Sequence, residues 1–248
     1  MAAAPGQLAT LRSVFWNPDR TSGLTCTVCT TPGLGAGYRV CFACHGQRQS
    51  GRELADIVAP ITYAIEGTQI MRDLYNYKTG DGGYTETSAR DRLFNGLYLS
   101  LSEHLECFGG IDVIATVPSS SGRSAPHPVD QMRRMFGQGF EHSVVQYVGP
   151  AGLDRQQRRV LSPDRFAIDA LTVRGSRVLL LDDAWVSGAH MQSVAAALKM
   201  SGATFVASVP IGRVVSPTYG ETRSYLQEHA PEPFNPSKCP VSGIVHST

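Results

Sequence analysis

An α/β fold is expected, built on a mainly parallel twisted sheet flanked by helices, with a small cysteine-rich module near the N-terminus. Three features of the sequence lead there. From residue 85 onward strand-like and helix-like stretches alternate, the pattern of crossover connections in a parallel sheet. The stretch "RVLLLDD" (Arg177 to Asp183) is aliphatic without a break over 178–181, which suits a central strand covered on both faces. Four of the six cysteines lie between Cys26 and Cys44, in a segment rich in glycine and poor in apolar mass. Such a segment cannot bury a core of its own and needs a staple.

The 248 residues suffice for one large domain with an appendage. The boundaries expected are 1–50 for a loose tail plus the cysteine module and 51–248 for the α/β domain. Within that domain, about 51–85 forms a hood and about 86–215 the core. Charged residues make up 17% and the formal net charge is +1, so bulk charge gives no reason for nucleic-acid or membrane affinity. No apolar run reaches membrane-spanning length. The start, "MAAAPGQLATLRS", lacks the basic and apolar regions of a secretory signal, and the clustered cysteines suit a reducing compartment. A cytoplasmic location is the expectation.

The elements follow in order. "ITYAI" (Ile61 to Ile65) reads as a short strand, and "GTQIMRDLYNYK" has helical spacing up to the glycines at 80–83. Leu93, Leu97, Leu101 and Leu105 recur every fourth residue and predict the longest helix, over 84–107, closed by Gly109 and Gly110. "IDVIATVP" predicts a strand, "SSSGRSAPHP" a loop, "VDQMRRMFG" a short helix and "HSVVQYVG" a second strand. Residues 150–166 are basic and read as exposed or facing a ligand. "RVLLLDD" is the third strand, Ala189 to Gly202 a helix, Thr204 to Val215 another strand, and "TYGETRSYLQEHA" a closing helix before a proline-rich tail.

"CTVC" (Cys26, Cys29) and "CFAC" (Cys41, Cys44) are two CxxC pairs eleven residues apart. This spacing lets four thiolates surround one tetrahedral Zn²⁺ with a structural role. Four cysteinates also suit an iron–sulfur cluster. His45 reads as a neighbour of a site that four sulfurs already complete. Cys107 and Cys239 read as buried or incidental thiols.

The two carboxylates of Asp182 and Asp183 end an apolar strand, where ligands of open parallel sheets sit. Trp185 and the short "VSGAH" turn (Val186 to His190) then open a helix, whose first N–H groups and positive dipole end attract anions. Ser187 adds a hydroxyl, and Gly188 lets the backbone come close to a ligand. A phosphate on the loop with a sugar on the aspartates fits the pattern. So does a surface turn in which an aspartate caps the helix.

Residues 178–190 resemble the phosphoribosyl-pyrophosphate-binding motif of type I phosphoribosyltransferases. With the cysteine pairs, the chain from about Cys26 to about Arg213 resembles the ComF-like branch of that family, linked to DNA uptake in competent bacteria. The resemblance implies that Asp182 and Asp183 hold the ribose hydroxyls, directly or through Mg²⁺ that arrives with the substrate. It implies that Val186, Ser187, Gly188, Ala189 and His190 wrap the 5-phosphate. Ser119, Ser120, Ser121, Gly122 and Arg123 would face the pyrophosphate, with Arg123 the preferred base and Arg159 and Arg155 the next. Tyr75, Tyr77 and Lys78 match an aromatic-lysine segment of the family, although by spacing alone they read as a helix face packed on the sheet. Val186, Ser187 and His190 stand where the family's loops usually carry threonine.

The activity so implied is pentosyl transfer from phosphoribosyl pyrophosphate, or a related sugar phosphate, to a nitrogen acceptor. The alternative is a non-catalytic accessory protein of DNA uptake or processing that keeps the fold and binds a nucleotide or a protein partner. Direct nucleic-acid binding by the isolated chain and membrane association are not expected.

Overall fold

The computed structural model describes residues 5–20, 23–78, 84–120, 128–133, 136 and 144–246. The chain opens with α1 (Pro5–Val14) and β1 (Trp16–Asn17), then α2 (Phe42–Arg48), β2 (Ile57–Val58), β3 (Thr62–Ile65), α3 (Gln69–Asn76) and α4 (Tyr84–His104). β4 (Val113–Thr116), α5 (Pro128–Arg133), β5 (Val145–Tyr147), β6 (Phe166–Ile168) and α6 (Ala170–Val173) follow. The last part holds β7 (Arg177–Trp185), α7 (Ala189–Met200), β8 (Phe205–Val215), α8 (Thr222–Glu228) and β9 (Glu232–Pro233).

Five of these strands form one sheet in which every pairing is parallel. β2 and β3 lie end to end along one edge of β8, β7 lies on the other edge, and β4 lies beyond β7. Successive residues of a strand point to opposite faces, and the sequence uses both faces for apolar contact. Leu179 and Leu181 of β7, with Ala207, Val209 and Ile211 of β8, pack into a core that includes Leu93, Leu97 and Leu101 of α4. Val178 and Leu180 of β7, with Val206 of β8, enter a second core with Met191, Val194 and Leu198 of α7 and the four N-terminal cysteines. An unbroken aliphatic run is therefore what a strand sandwiched between two helical layers requires.

Three stretches depart from the sequence expectations. The N-terminal stretch is no loose tail over 5–17. α1 buries Leu11 and Val14, and Phe15 fits against Phe234 with ring centroids 5.6 Å apart. A Cβ at Gly96 would stand 2.1 Å from the Phe15 ring, so glycine makes room for this anchor in mid-helix. The stretch "HSVVQYVG" does not join the main sheet. β5 pairs antiparallel with β6, an unexpected strand at the end of the basic stretch. The proline-rich end is also ordered by partners: β9 pairs antiparallel with β1, and Phe234 and Cys239 are buried. Among the described residues no helix is long and apolar enough to cross a membrane.

Candidate functional site

β7 continues through both aspartates to Trp185, longer than expected, but its two edges end differently. Pairing with β4 stops at Leu181, whereas pairing with β8 runs on to Trp185. Asp182 and Asp183 thus lie where the β4 edge of the strand has opened, at the carboxyl end of a parallel sheet. Both side chains are largely buried. The Asp183 N–H donates to Asp182 Oδ1 at 2.8 Å. Asp183 Oδ2 accepts from the Tyr77 hydroxyl at 2.6 Å and pairs with Lys78. Burial, reinforced by the neighbouring Asp183 charge, pushes the Asp182 carboxyl well above the usual range, while Lys78 pulls it back.

The turn after β7 is shaped by Gly188. Its φ of +80° is a left-handed conformation, and a Cβ there would lie 2.1 Å from the Trp185 ring. Trp185 is therefore packed under the loop and does not obstruct it. The first turn of α7 presents N–H groups that have no partner within the helix. Ala189 at its start is buried, and Val186 is exposed. His190 packs against Phe166 and donates from Nε2 to the Pro118 carbonyl at 3.2 Å. Burial is the largest influence on the His190 imidazole and holds its pKa below the usual value, so this residue braces the loop after β4 as a neutral ring.

A cavity of about 940 Å³ brings these parts together. Asp182 and Asp183 line it with Ser119, Ser120, Lys78, Val186, Ser187, Gly188 and His190. Arg155, Arg158 and Arg159 also line it, exposed on a turn that Asp154 organises by accepting the Gln156 and Gln157 N–H groups at 2.8 Å each. A second cavity of about 530 Å³ adjoins it. The two share Glu66, Arg155, Arg159, Val186, Ser187 and Val214, and the second reaches Cys41, Phe42 and Gln47 of the cysteine module. Ser121, Gly122 and Arg123 lie outside the described residues.

The four N-terminal cysteines converge, with all sulfurs within 4.8 Å of one another. Cys29 Sγ and Cys41 Sγ are 3.8 Å apart, and the Cys41 N–H points at Cys26 Sγ at 3.3 Å. The second pair is set by α2, which begins just after Cys41 and carries Cys44 in its first turn. Hydrogen bonding among the four thiols, with burial, drives Cys44 and Cys41 far above the usual thiol value. Four thiols this close ionise together only around a cation, and the donor set fits a structural metal such as zinc.

This module is tied directly to the aspartate site. Gln47 of α2 donates from Nε2 to the Ser187 carbonyl at 2.8 Å. Arg213 of β8, buried, donates to Thr31 Oγ1 at 3.1 Å beside the cysteines, and to the carbonyls of Trp185 at 2.9 Å and Val186 at 3.1 Å. Neither residue stood out in the sequence, nor did the engagement of Tyr77 and Lys78 with Asp183. The polar tip of "LYNYK" was the one available signal for the latter. Compared with known proteins, the chain matches no family model and no curated protein.

Proposed function

We propose that this protein is a phosphoribosyltransferase-like enzyme of the ComF-like kind, binding phosphoribosyl pyrophosphate or a related sugar phosphate with Mg²⁺ and transferring the sugar to a nitrogen acceptor. The observation that carries the reading is one cavity walled by a carboxylate pair, a helix start and three exposed arginines. Carboxylates suit sugar hydroxyls or a hydrated Mg²⁺. The α7 start with Ser187 and Gly188 suits the 5-phosphate. Arg155 and Arg159 suit the pyrophosphate, and since they line both cavities the smaller one would take the acceptor.

In the reaction the C1–oxygen bond to pyrophosphate breaks, a C1–nitrogen bond forms, and the acceptor nitrogen loses its proton. The oxocarbenium-like transition state needs positioning and neutralisation of leaving charge rather than a protein nucleophile. Mg²⁺, when bound, neutralises the pyrophosphate oxygens. The Asp182 and Asp183 oxygens are the hard donors it prefers. Tyr77 and Lys78 fix the orientation of Asp183.

A second reading is ligand binding without transfer. It is favoured by Val186, which offers no hydroxyl, and by the prior engagement of Asp183. Calorimetric titration of zinc-loaded protein with phosphoribosyl pyrophosphate tests the site. Micromolar binding that needs Mg²⁺ and disappears with Asp182→Asn plus Asp183→Asn supports it. No heat from a folded sample overturns both readings. An acceptor screen of the binding-competent protein then separates enzyme from binder.

A further inference from the structure

A second group of metal-binding side chains lies far from the aspartate site. His104, Cys107, Cys239 and His246 place one donor atom each within 4.8 Å of one another. All six cysteines of the chain belong either to this group or to the N-terminal four. His104 is fully buried at the end of α4 and Cys107 sits on the single 3-10 turn that follows. Cys239 and His246 come from a segment more than 130 residues further along the sequence.

The donor spacing suits a tetrahedral centre. Zn–S bonds of about 2.3 Å and Zn–N bonds of about 2.0 Å set the donors of a tetrahedron roughly 3.3–3.8 Å apart. Cys107 Sγ lies 3.8 Å from His104 Nδ1 and 3.8 Å from His246 Nδ1. The same 3.8 Å separates Cys29 and Cys41 in the N-terminal cluster. His104 Nε2 donates to the Pro236 carbonyl at 2.7 Å. That bond keeps the proton on Nε2 and leaves the Nδ1 lone pair facing Cys107, the usual way a metal-binding histidine is oriented from behind.

The segment around Cys239 is built as a sulfur-presenting turn. The Gly243 N–H returns to the Cys239 carbonyl at 2.8 Å, and the Cys239 N–H donates to the Ile244 carbonyl at 2.9 Å. Lys238 pairs antiparallel with Val245, and the His246 N–H reaches the Ser237 carbonyl at 2.9 Å, bringing His246 back beside Cys239.

We propose that His104, Cys107, Cys239 and His246 form a second structural zinc site that clasps the hairpin 237–246 to the end of α4. Two thiolates and two neutral imidazoles balance a divalent cation and match the mixed nitrogen–sulfur preference of Zn²⁺. Four protein ligands leave no open position, so the site holds structure and carries no chemistry.

The test uses the full chain purified under reductant with zinc. Elemental analysis is expected to find two equivalents of zinc, one per cluster, and one in the folded Cys107→Ser, Cys239→Ser variant. Cobalt substitution of the wild type is expected to show two sets of visible bands, because a two-sulfur, two-nitrogen centre absorbs differently from a four-sulfur one. Should the double serine variant not fold, His246→Gln at the exposed end of the cluster gives the readout: one of the two metals passes to a chromophoric chelator at least tenfold more readily. A single zinc in the wild type that Cys239→Ser leaves in place overturns the proposal. So does a Cys107–Cys239 disulfide that mass spectrometry finds in zinc-supplemented protein.

Discussion

The side-chain amide of Gln47 donates to the main-chain carbonyl of Ser187 at 2.8 Å, joining the helix that carries Cys44 to the turn that opens α7. The cysteine module is thereby tied to the turn that borders the aspartate cavity, and it lines the adjoining cavity itself. Gln47→Ala removes one hydrogen bond, worth about 1 kcal/mol. Gln47 Oε1 is buried without a hydrogen-bond partner, so its loss offsets part of that cost. Thermal unfolding and the metal content of the cysteine cluster are expected to change little, while affinity for the proposed sugar-phosphate ligand falls severalfold. Calorimetry on the variant and its wild-type parent measures this, and unchanged affinity would show that the turn keeps its shape without the amide.

Asp182 is expected to burden the fold. Its carboxyl titrates well above the usual 3.8 because burial disfavours the charge. Below that ordinary value both folded and unfolded forms hold the proton. As pH rises through it, the unfolded chain ionises first, and stability drops until the folded carboxyl also ionises. Asp182→Asn keeps the oxygen that accepts the Asp183 N–H. It should stabilise the unliganded protein at pH 7 by roughly 1 kcal/mol, with the gain shrinking towards pH 4, and abolish ligand binding. Urea unfolding at the two pH values checks the sign.

Gly188→Ala meets two obstacles, a left-handed φ of +80° and the Trp185 ring 2.1 Å from the new Cβ. Strain and overpacking together should cost about 3 kcal/mol. The Trp185 ring must move, so a change in tryptophan fluorescence should accompany the lost stability, and ligand binding should vanish with it.

His190 gives an acid-side prediction of the opposite sign to Asp182. Its pKa lies below the usual 6.5, chiefly because the ring is buried. Above pH 6.5 both states are neutral and nothing is contributed. Below it the unfolded chain takes up a proton that the folded chain refuses, so stability falls with falling pH. Comparing wild type with His190→Gln between pH 7 and pH 5, the variant should lose less stability, and parallel curves would place the imidazole in solvent.

What the sequence showed plainly was whatever its local pattern encodes. The aliphatic run of β7 and the leucines of α4 each follow one rule of periodicity, and the paired CxxC motifs follow one rule of ligand spacing within nineteen residues. What stayed hidden was decided between distant residues. Tyr77 and Asp183 are 106 positions apart, and Gln47 and Ser187 are 140 apart. β6 is three residues long and follows an arginine, so alternation had too little length to register. α1 has no acidic residue in its first turn to announce it, and its role emerges only when Phe15 finds Gly96 and Phe234. The cysteines at 107 and 239 looked solitary because their histidine partners come with each of them rather than between them.

The pairing of Trp16 with Pro233 has a consequence for the order of events during synthesis. A ribosome releases the first partner more than two hundred residues before the second. Through that interval Phe15 waits without Phe234, and the apolar underside of α4 waits without its cover. The emerging chain is expected to be sticky until the segment around Phe234 arrives, because contacts between such remote positions form late and leave intermediates exposed. Pairing of β1 with β9 then acts as a late latch, and pulse-labelled chains stalled before residue 233 should be far more sensitive to protease than chains that extend past it.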